Sequence, residues 1–371
     1  MRRVIDPIFG ILMCLLLAAC GSAGQSHAAP KATPVPQIAW QARSAPPGDN
    51  AALNDEIAFA VAPSDGHTAY WCSVTQVQPT FNAQMWVTHD DAHHWSKAAP
   101  LPGVQQLTDA LSRQGVCKIT IDGGDANVLY VEYGFHSGAD LISSVDGGRT
   151  WIQPGQSGFT DETTTLDDVA YRHAYDSVTT SHDHGATWQP LTIPTAPNEQ
   201  LNLLGVDPTN THILIEGRYS LPQYLRLWRS DDGGAHWSAT PLAQTPFQLP
   251  GQFIVRLLAD QREWEVCFDA YPPTDSHTLS TIFCSYDSGH SWRQIPTQTG
   301  NSDNLLGIDG AGDLLRQVFV YGATNALYRY DTASQLWRVI GVANFALYAP
   351  NPAPGVLWDF KGEQIRVAAY R

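Results

Sequence analysis

From about residue 36 the chain falls into short apolar runs separated by polar turns, and the same cycle of runs returns several times. A first run ends in a turn rich in Pro, Asn and Asp, as in VAPSDG (61–66), GVDPTN (205–210) and YAPNPAPG (348–355). A second run follows, as in TAYWCSV (68–74), VLYVEYG (128–134), HILIEGRY (212–219) and VLWDF (356–360). A third leads into a polar segment closed by Trp, and a short fourth lies beyond that Trp. Runs of this kind, bounded by turn-forming residues, read as β-strands. Four short strands per unit predict an all-β chain built from repeated small sheets.

The Trp-closed segments are the clearest repeat. Five of them share a small residue, an Asp two positions later and a Trp five after the Asp: Thr88–Trp95 (THDDAHHW), Ser144–Trp151 (SVDGGRTW), Ser181–Trp188 (SHDHGATW), Ser230–Trp237 (SDDGGAHW) and Ser285–Trp292 (SYDSGHSW). A sixth, Tyr330–Trp337 (YDTASQLW), has one extra residue and no Gly. The pairs are therefore Asp90 with Trp95, Asp146 with Trp151, Asp183 with Trp188, Asp232 with Trp237, Asp287 with Trp292, and Asp331 with Trp337. An Asp in a tight turn accepts hydrogen bonds from the turn's own N–H groups, and the Ser or Thr hydroxyl adds a second local bond. Gly148, Gly185, Gly234 and Gly289 stand where such a turn needs positive φ. Each Trp is large enough to fill the wedge between neighbouring sheets. On this reading all twelve residues are fold staples.

The pattern resembles the Asp-box, or bacterial neuraminidase repeat, S-x-D-x-G-x-T-W, from about residue 52 onward. The resemblance implies a β-propeller. The box Asp residues step by 56, 37, 49, 55 and 44 positions, and residues 36–371 hold seven steps of that mean size. A single propeller of seven four-stranded blades is therefore expected, with six blades as the alternative. The seventh blade lacks a box. Three strands at 341–371 (NFALYAP, GVLWDF, EQIRVAAY) and a fourth from PQIAWQAR (36–43) would complete it and remove the free edge of an open sheet.

The first residues read as an address. Arg2 and Arg3 precede a dozen mostly apolar residues from Ile8 to Ala19, a signal-peptide core too short to span a bilayer. The segment Leu17-Ala18-Ala19-Cys20-Gly21 resembles the lipobox of bacterial lipoproteins. That resemblance implies a signal peptide at 1–19, acyl chains such as palmitate on Cys20, and a location at the cell envelope outside the cytoplasm. Residues 20–35, small, polar and Pro-rich, form a tether, and 36–371 the propeller. Cys72, Cys117, Cys267 and Cys284 remain in an oxidising compartment and allow three pairings. Cys267 and Cys284 lie in neighbouring strand-like runs and Cys72 and Cys117 in consecutive units, which favours 72–117 with 267–284. No CxxC spacing points to a metal.

Charge and composition narrow the chemistry. Acidic residues number 36 against 21 basic, a formal charge of −15, and only Lys31, Lys97, Lys118 and Lys361 are lysines. A nucleic-acid ligand needs a cationic footprint, which is absent. An Asp-box propeller raises the sialidases, which use three Arg on the substrate carboxylate, a Tyr–Glu pair and an Asp acid. Their R-I-P motif before the first box is missing: Arg43 is the only Arg between the signal and Trp95. Arg113, Arg172, Arg218, Arg256 and Arg316 are candidates for a central channel, with no spacing that selects three.

The densest acidic stretch, Asp161-Glu162 with Asp167-Asp168, reads as a solvated loop. His93, His94, His182 and His184 sit inside boxes without a recognised ligand spacing, and no metal or other cofactor is expected. The non-box residues Trp40, Trp71, Trp86, Trp228, Trp264 and Trp358 read as core. The candidate long loops are 103–115, 155–168, 242–252 and 270–280.

Two non-enzymatic families also carry the repeat: the photosystem II assembly factors, similar in size and blade number, and the larger sortilin-type receptors. The expectation is a monomeric, non-catalytic envelope lipoprotein whose propeller binds a protein partner or acts as an assembly scaffold. A sialidase-type hydrolase, or a carbohydrate-binding propeller, is the alternative.

Overall fold

The computed structural model describes residues 38–47, 57–77, 80–102, 115–135, 138–153, 162–166, 169–174, 177–194, 200–206, 213–218, 225–241, 258–259, 266–270, 281–287, 290–295, 303–308, 313–318, 325–343, 346–348, 355–361 and 364–369. Cys20 and the segments 1–19 and 20–35 lie outside them, as do Trp264, Gly289 and most of the four candidate loops. The stretch from Val35 to Arg371 forms one compact unit. Among the described residues no helix is long and apolar enough to cross a membrane.

The strands pair into seven antiparallel sheets. The seventh sheet begins with the first strand of the chain, β1 (Gln41–Ser44). The first sheet holds β2 (Ile57–Val61), β3 (Ala69–Val77), β4 (Thr80–Thr88) and β5 (Ser96–Lys97). The second holds β6 (Gly115–Ile121), β7 (Leu129–Phe135) and β8 (Gly138–Ser144), and a bridge between Ser143 and Ile152 marks the place of its fourth strand. The third holds β9 (Glu162–Leu166), β10 (Val169–Ala174), β11 (Ser177–Ser181) and β12 (Gln189–Leu191).

The fourth is β13 (Gln200–Val206), β14 (Ile213–Arg218), β15 (Leu225–Ser230) and β16 (Ser238–Pro241). The fifth is β17 (Leu258–Ala259), β18 (Val266–Ala270), β19 (Thr281–Ser285) and β20 (Arg293–Ile295). The sixth is β21 (Asp303–Ile308), β22 (Leu314–Val318), β23 (Asn325–Asp331) and β24 (Leu336–Ala343). In the seventh, β25 (Ala346–Tyr348), β26 (Val356–Lys361) and β27 (Gln364–Ala369) are completed by β1, with Gln41 opposite Val367 and Ser44 opposite Gln364. Sheets of three and four antiparallel strands repeated in this way make a multi-bladed β-propeller. The acidic stretch read as a loop is a correction: Glu162–Leu166 is strand β9, paired to β10 from Leu166 opposite Val169.

The core lies between sheets. The second strands of the first, second, third, sixth and seventh sheets present alternate side chains to their two neighbours, as a period of two requires. Tyr70 and Cys72 of β3 meet Cys117, Ile121 and Leu129 of the second sheet, while Ala69 and Trp71 meet Trp358, Ile365 and Val367 of the seventh. Val128, Tyr130 and Leu141 pack on Ala170 and Trp188; Tyr171 and Val178 on Trp228 and Trp237; β13 lies beside β17. Cys267, Ile282 and Ile295 pack on Leu314, Tyr330 and Trp337, and Leu315 and Leu327 on Leu357. Trp71 and Trp358 are fully buried, Trp86 and Trp228 nearly so, consistent with their reading as core.

Two disulfides sit in this core. Cys72–Cys117 joins the first and second sheets across a separation of 45 residues. Cys267–Cys284 joins register partners of β18 and β19 across 17 residues. On the chain-entropy relation the longer loop contributes about 4 kcal/mol and the shorter about 3. Replacing Cys72 and Cys117 by Ala should therefore lower the denaturant midpoint more than the same change at Cys267 and Cys284. Equal losses in matched unfolding curves would contradict the loop-length account.

Candidate functional site

The turns between third and fourth strands share one hydrogen-bond scheme. In the second box the Ser144 hydroxyl donates to Asp146 Oδ1 at 2.8 Å and accepts the Gly148 N–H at 2.8 Å. Asp146 Oδ1 also accepts the Thr150 N–H at 2.9 Å, and Oδ2 accepts the Thr150 hydroxyl at 2.7 Å. Ser181, Asp183, Gly185 and Thr187 repeat the scheme in the third box with bonds of 2.7–2.8 Å. The first and fourth boxes change one member. There His94 Nδ1 and His236 Nδ1 take the place of the hydroxyl, each 2.6 Å from Oδ2 of Asp90 and Asp232. In the fifth, the Ser291 hydroxyl donates to Asp287 Oδ2 at 2.6 Å.

These bonds set the charge of the carboxylates. At Asp183 the bonds from the Thr187 side chain and backbone, with that from Ser181, hold the pKa at about 2. Asp232 is held at about 2 by the side chain and backbone of His236. Burial works against the charge at Asp90, but hydrogen bonds from His94 and Thr88 outweigh it and leave its pKa at about 2. Asp146 and Asp287 are lowered in the same way, desolvation opposing and hydroxyl and N–H donors winning. The sixth box differs in kind. Asp331 and Leu336 are register partners at the end of a tight hairpin, where Asp331 accepts the Ser334 N–H at 3.0 Å and pairs with Arg338 at 3.1 Å.

Positive φ falls where the sequence places Gly: Gly148 at 82°, Gly185 at 83° and Gly234 at 91°. In the first box Ala92 takes that position at 59°. A Cβ added at Gly148 would come 3.1 Å from Ala98 Cβ, and one at Gly234 2.6 Å from Leu191 Cδ1, so the box seats tightly on the preceding sheet.

The box Trp residues link sheet to sheet. Trp151 Nε1 donates to Ala99 O at 3.1 Å and Trp95 Nε1 to Ser44 O at 2.9 Å. Ala99 lies four residues past Trp95, and Ser44 four past Trp40. Trp40 is thus the seventh member. It stands immediately before its strand, as Trp95, Trp188, Trp237 and Trp292 do, and its Nε1 donates to Val342 O at 3.2 Å, five residues past Trp337. The extra residue is absorbed by a register shift between β23 and β24. Arg366 stacks over the Trp40 ring at 5.2 Å and pairs with the buried Asp359. Sequence reasoning placed Trp40 in the core and missed its role, because the Asp half of the box is absent. Its position directly ahead of a short strand was the available signal.

Two of the candidate channel Arg residues belong to the framework. Arg172 stacks on Trp188 at 4.9 Å, and burial lowers its pKa while Glu132 across the sheet interface pushes it back up. Arg316 is 1% exposed and lies over Trp337 at 4.2 Å and Tyr328 at 5.2 Å. Arg113 and Arg256 lie outside the described residues, and Arg218 is placed as the last residue of β14. Among the described residues no group of three or more His, Cys, Asp or Glu could hold a metal ion.

Two predictions follow from the box geometry. Gly148→Ala forces an L-residue into left-handed backbone, at about 1–2 kcal/mol, whereas Ala92→Gly relieves that strain in the first box. The two changes should shift the thermal midpoint in opposite directions. The second prediction concerns pH. A carboxylate whose folded pKa is depressed adds stability above its unfolded pKa and loses it as pH falls through the folded value. The stabilisation from Asp183 is therefore full above about pH 4 and lost towards pH 2. The midpoint deficit of Asp183→Asn should be constant from pH 7 to 5 and shrink on acidification.

No protein-family model matches the chain, and no curated protein matches it. Solved structures do. YCF48 bound to a D1 peptide is similar with a TM-score of 0.52 at 14% identity, over 91% of this chain and 99% of that one. YCF48 from Cyanidioschyzon merolae gives 0.50 at 11% identity, over 89% and 98%. An ancestral GH74 enzyme gives 0.51 at 11% identity, over 89% of this chain and 46% of that one. At such identities the likeness is one of fold, a multi-bladed β-propeller that serves a peptide-bound protein and an enzyme alike.

Proposed function

We propose that the chain is a lipid-anchored β-propeller of seven blades, held outside the cytoplasm, whose task is to bind a protein segment rather than to catalyse a reaction. In this reading residues 1–19 are the signal peptide, Cys20 carries the acyl chains, 20–35 are the tether, and β1 with β25–β27 closes the ring of blades. The observation that carries the non-catalytic reading is the commitment of Arg172 and Arg316 to stacks on Trp188 and Trp337. A sialidase-type clamp needs guanidinium groups free to grip a substrate carboxylate, and these two are fixed in the sheet interfaces. The protein-binding reading draws support from the D1 peptide held by a protein of the same fold. Propellers offer connecting loops from every blade at one mouth, and loops on a rigid scaffold are where partners dock.

The test is cross-linking of the lipidated protein in cells, followed by affinity purification and mass spectrometry. One envelope protein recovered in near-stoichiometric amount, and rebinding when purified, is the expected result. Recovery of no protein above background would overturn the scaffold reading. Weight would then move to glycan binding or hydrolysis, which a glycan array and a fluorogenic sialoside would separate.

A further inference from the structure

Both disulfides are closed off from solvent. Cys72, Cys267 and Cys284 are fully buried, and Cys117 nearly so. Cys72 and Cys117 lie in a cluster with Ala62, Met85, Leu101 and Ile142, drawn entirely from the first two sheets and their turns. Cys267 and Cys284 of the fifth sheet pack against Leu314, Tyr330 and Trp337, which belong to the sixth. A disulfide forms when a thiolate attacks a sulfur of an existing disulfide, and the exchange depends on access. In the folded protein neither pair offers it. The sulfurs are therefore joined before these surfaces meet. Cys72 joins Cys117 before the first two sheets seat together, and Cys267 joins Cys284 before the sixth sheet covers the fifth.

The two bonds also join cysteines that follow one another along the chain, and neither loop encloses the other. They close separations of 45 and 17 residues, the shortest that these four positions allow. The next shortest, Cys117 with Cys267, spans 150. Loop-closure entropy favours 17 over 150 by about 26-fold, and 45 over 150 by about 6-fold. Cys267 and Cys284 are in addition register partners, so the pairing of β18 with β19 alone brings them together. The native pairs are thus the ones an open chain favours. They are also the first that a chain delivered from its N-terminal side can form.

We propose that the chain is a substrate of a dithiol oxidase, a protein carrying a reactive disulfide, and that it needs no disulfide isomerase. The Cys72 thiolate attacks the oxidant's disulfide, forming a mixed disulfide and releasing one oxidant thiol. The Cys117 thiolate then displaces the oxidant's second sulfur from Cys72. Two electrons and the two cysteine protons pass to the oxidant, which leaves as a dithiol. Cys267 and Cys284 undergo the same exchange. Once the sheets close, burial keeps reductants from both bonds, which are structural and not redox switches.

The experiment exports the full chain in a bacterial host, in a parent strain and in strains lacking either the extracytoplasmic dithiol oxidase or the disulfide isomerase. Free thiols are blocked with N-ethylmaleimide on intact cells, and the bonds are mapped by peptide mass spectrometry. Without the isomerase, 72–117 and 267–284 should form at the parental level. Without the oxidase, both should fall at least tenfold and return when cystine is added to the medium. Non-native pairs as the main products without the isomerase, or undiminished native bonds without the oxidase, overturn the proposal. Absence of both bonds in the parent strain overturns it too. With the purified folded protein, excess dithiothreitol should reduce neither bond faster than the chain unfolds globally. Faster reduction overturns the order of oxidation before closure.

Discussion

The arrangement of the whole chain depends on a hydrogen-bonded carboxylate at the corner of a sheet. In each of the five regular boxes one Asp gathers the backbone N–H and the side chain of the residue four positions on, while the preceding Ser or Thr hydroxyl holds its other side. Those bonds close the turn between third and fourth strands and set its departure angle. The turn is then rigid enough to lean on the neighbouring sheet, as Gly148 leans on Ala98 and Gly234 on Leu191. A carboxylate accepting three or four such bonds is well satisfied despite its position at a crowded corner, which is why it remains charged.

The second consequence of a fixed turn is a fixed Trp. The indoles of Trp151, Trp188, Trp237 and Trp337 enter sheet interfaces, and those of Trp40, Trp95 and Trp151 reach a carbonyl of the preceding sheet. The tie between the two ends of the chain is of the same type. Trp40 reaches back to Val342 of the sixth sheet while β1 pairs with β27 of the seventh. The interface between the seventh and first sheets is correspondingly rich in aromatics: Phe59 lies 5.5 Å from Trp358 and 6.2 Å from Trp71, and Trp358 Nε1 donates to Gly66 O at 2.9 Å.

What was legible in the sequence follows from this economy. A turn that needs a small hydroxyl, an Asp, a Gly and a Trp at set spacings leaves a mark that five repeats make unmistakable, and their spacing led to seven units. The marks fade where geometry can be met another way. His94 and His236 replace a hydroxyl because an imidazole Nδ1 reaches the same carboxylate oxygen. Ala92 holds a glycine's conformation while its N–H donates to the Thr88 hydroxyl, as that of Gly148 does to Ser144. At the sixth box a tight hairpin does without the scheme, and at the seventh only the Trp survives. The strand β9 was hidden by its acidic flanks and by Thr residues, which suit strand and loop alike. Binding loops are harder still, since their composition answers to a ligand rather than to a repeating turn.

The same bonds bear on what the acidic residues can do. A general acid near neutral pH needs a carboxyl whose proton is retained, through burial in apolar surroundings or a neighbouring negative charge. The box carboxylates are displaced in the opposite direction. With pKa values of about 2 at Asp90, Asp183 and Asp232, they hold no proton to give, and as bases they are too weak to take one. Their lone pairs are occupied by the turn itself. The acidity of the chain, which at first suggests a supply of catalytic groups, is therefore partly an architectural expense. The end of the sheets that bears these turns is thus framework, held by one repeated scheme of bonds.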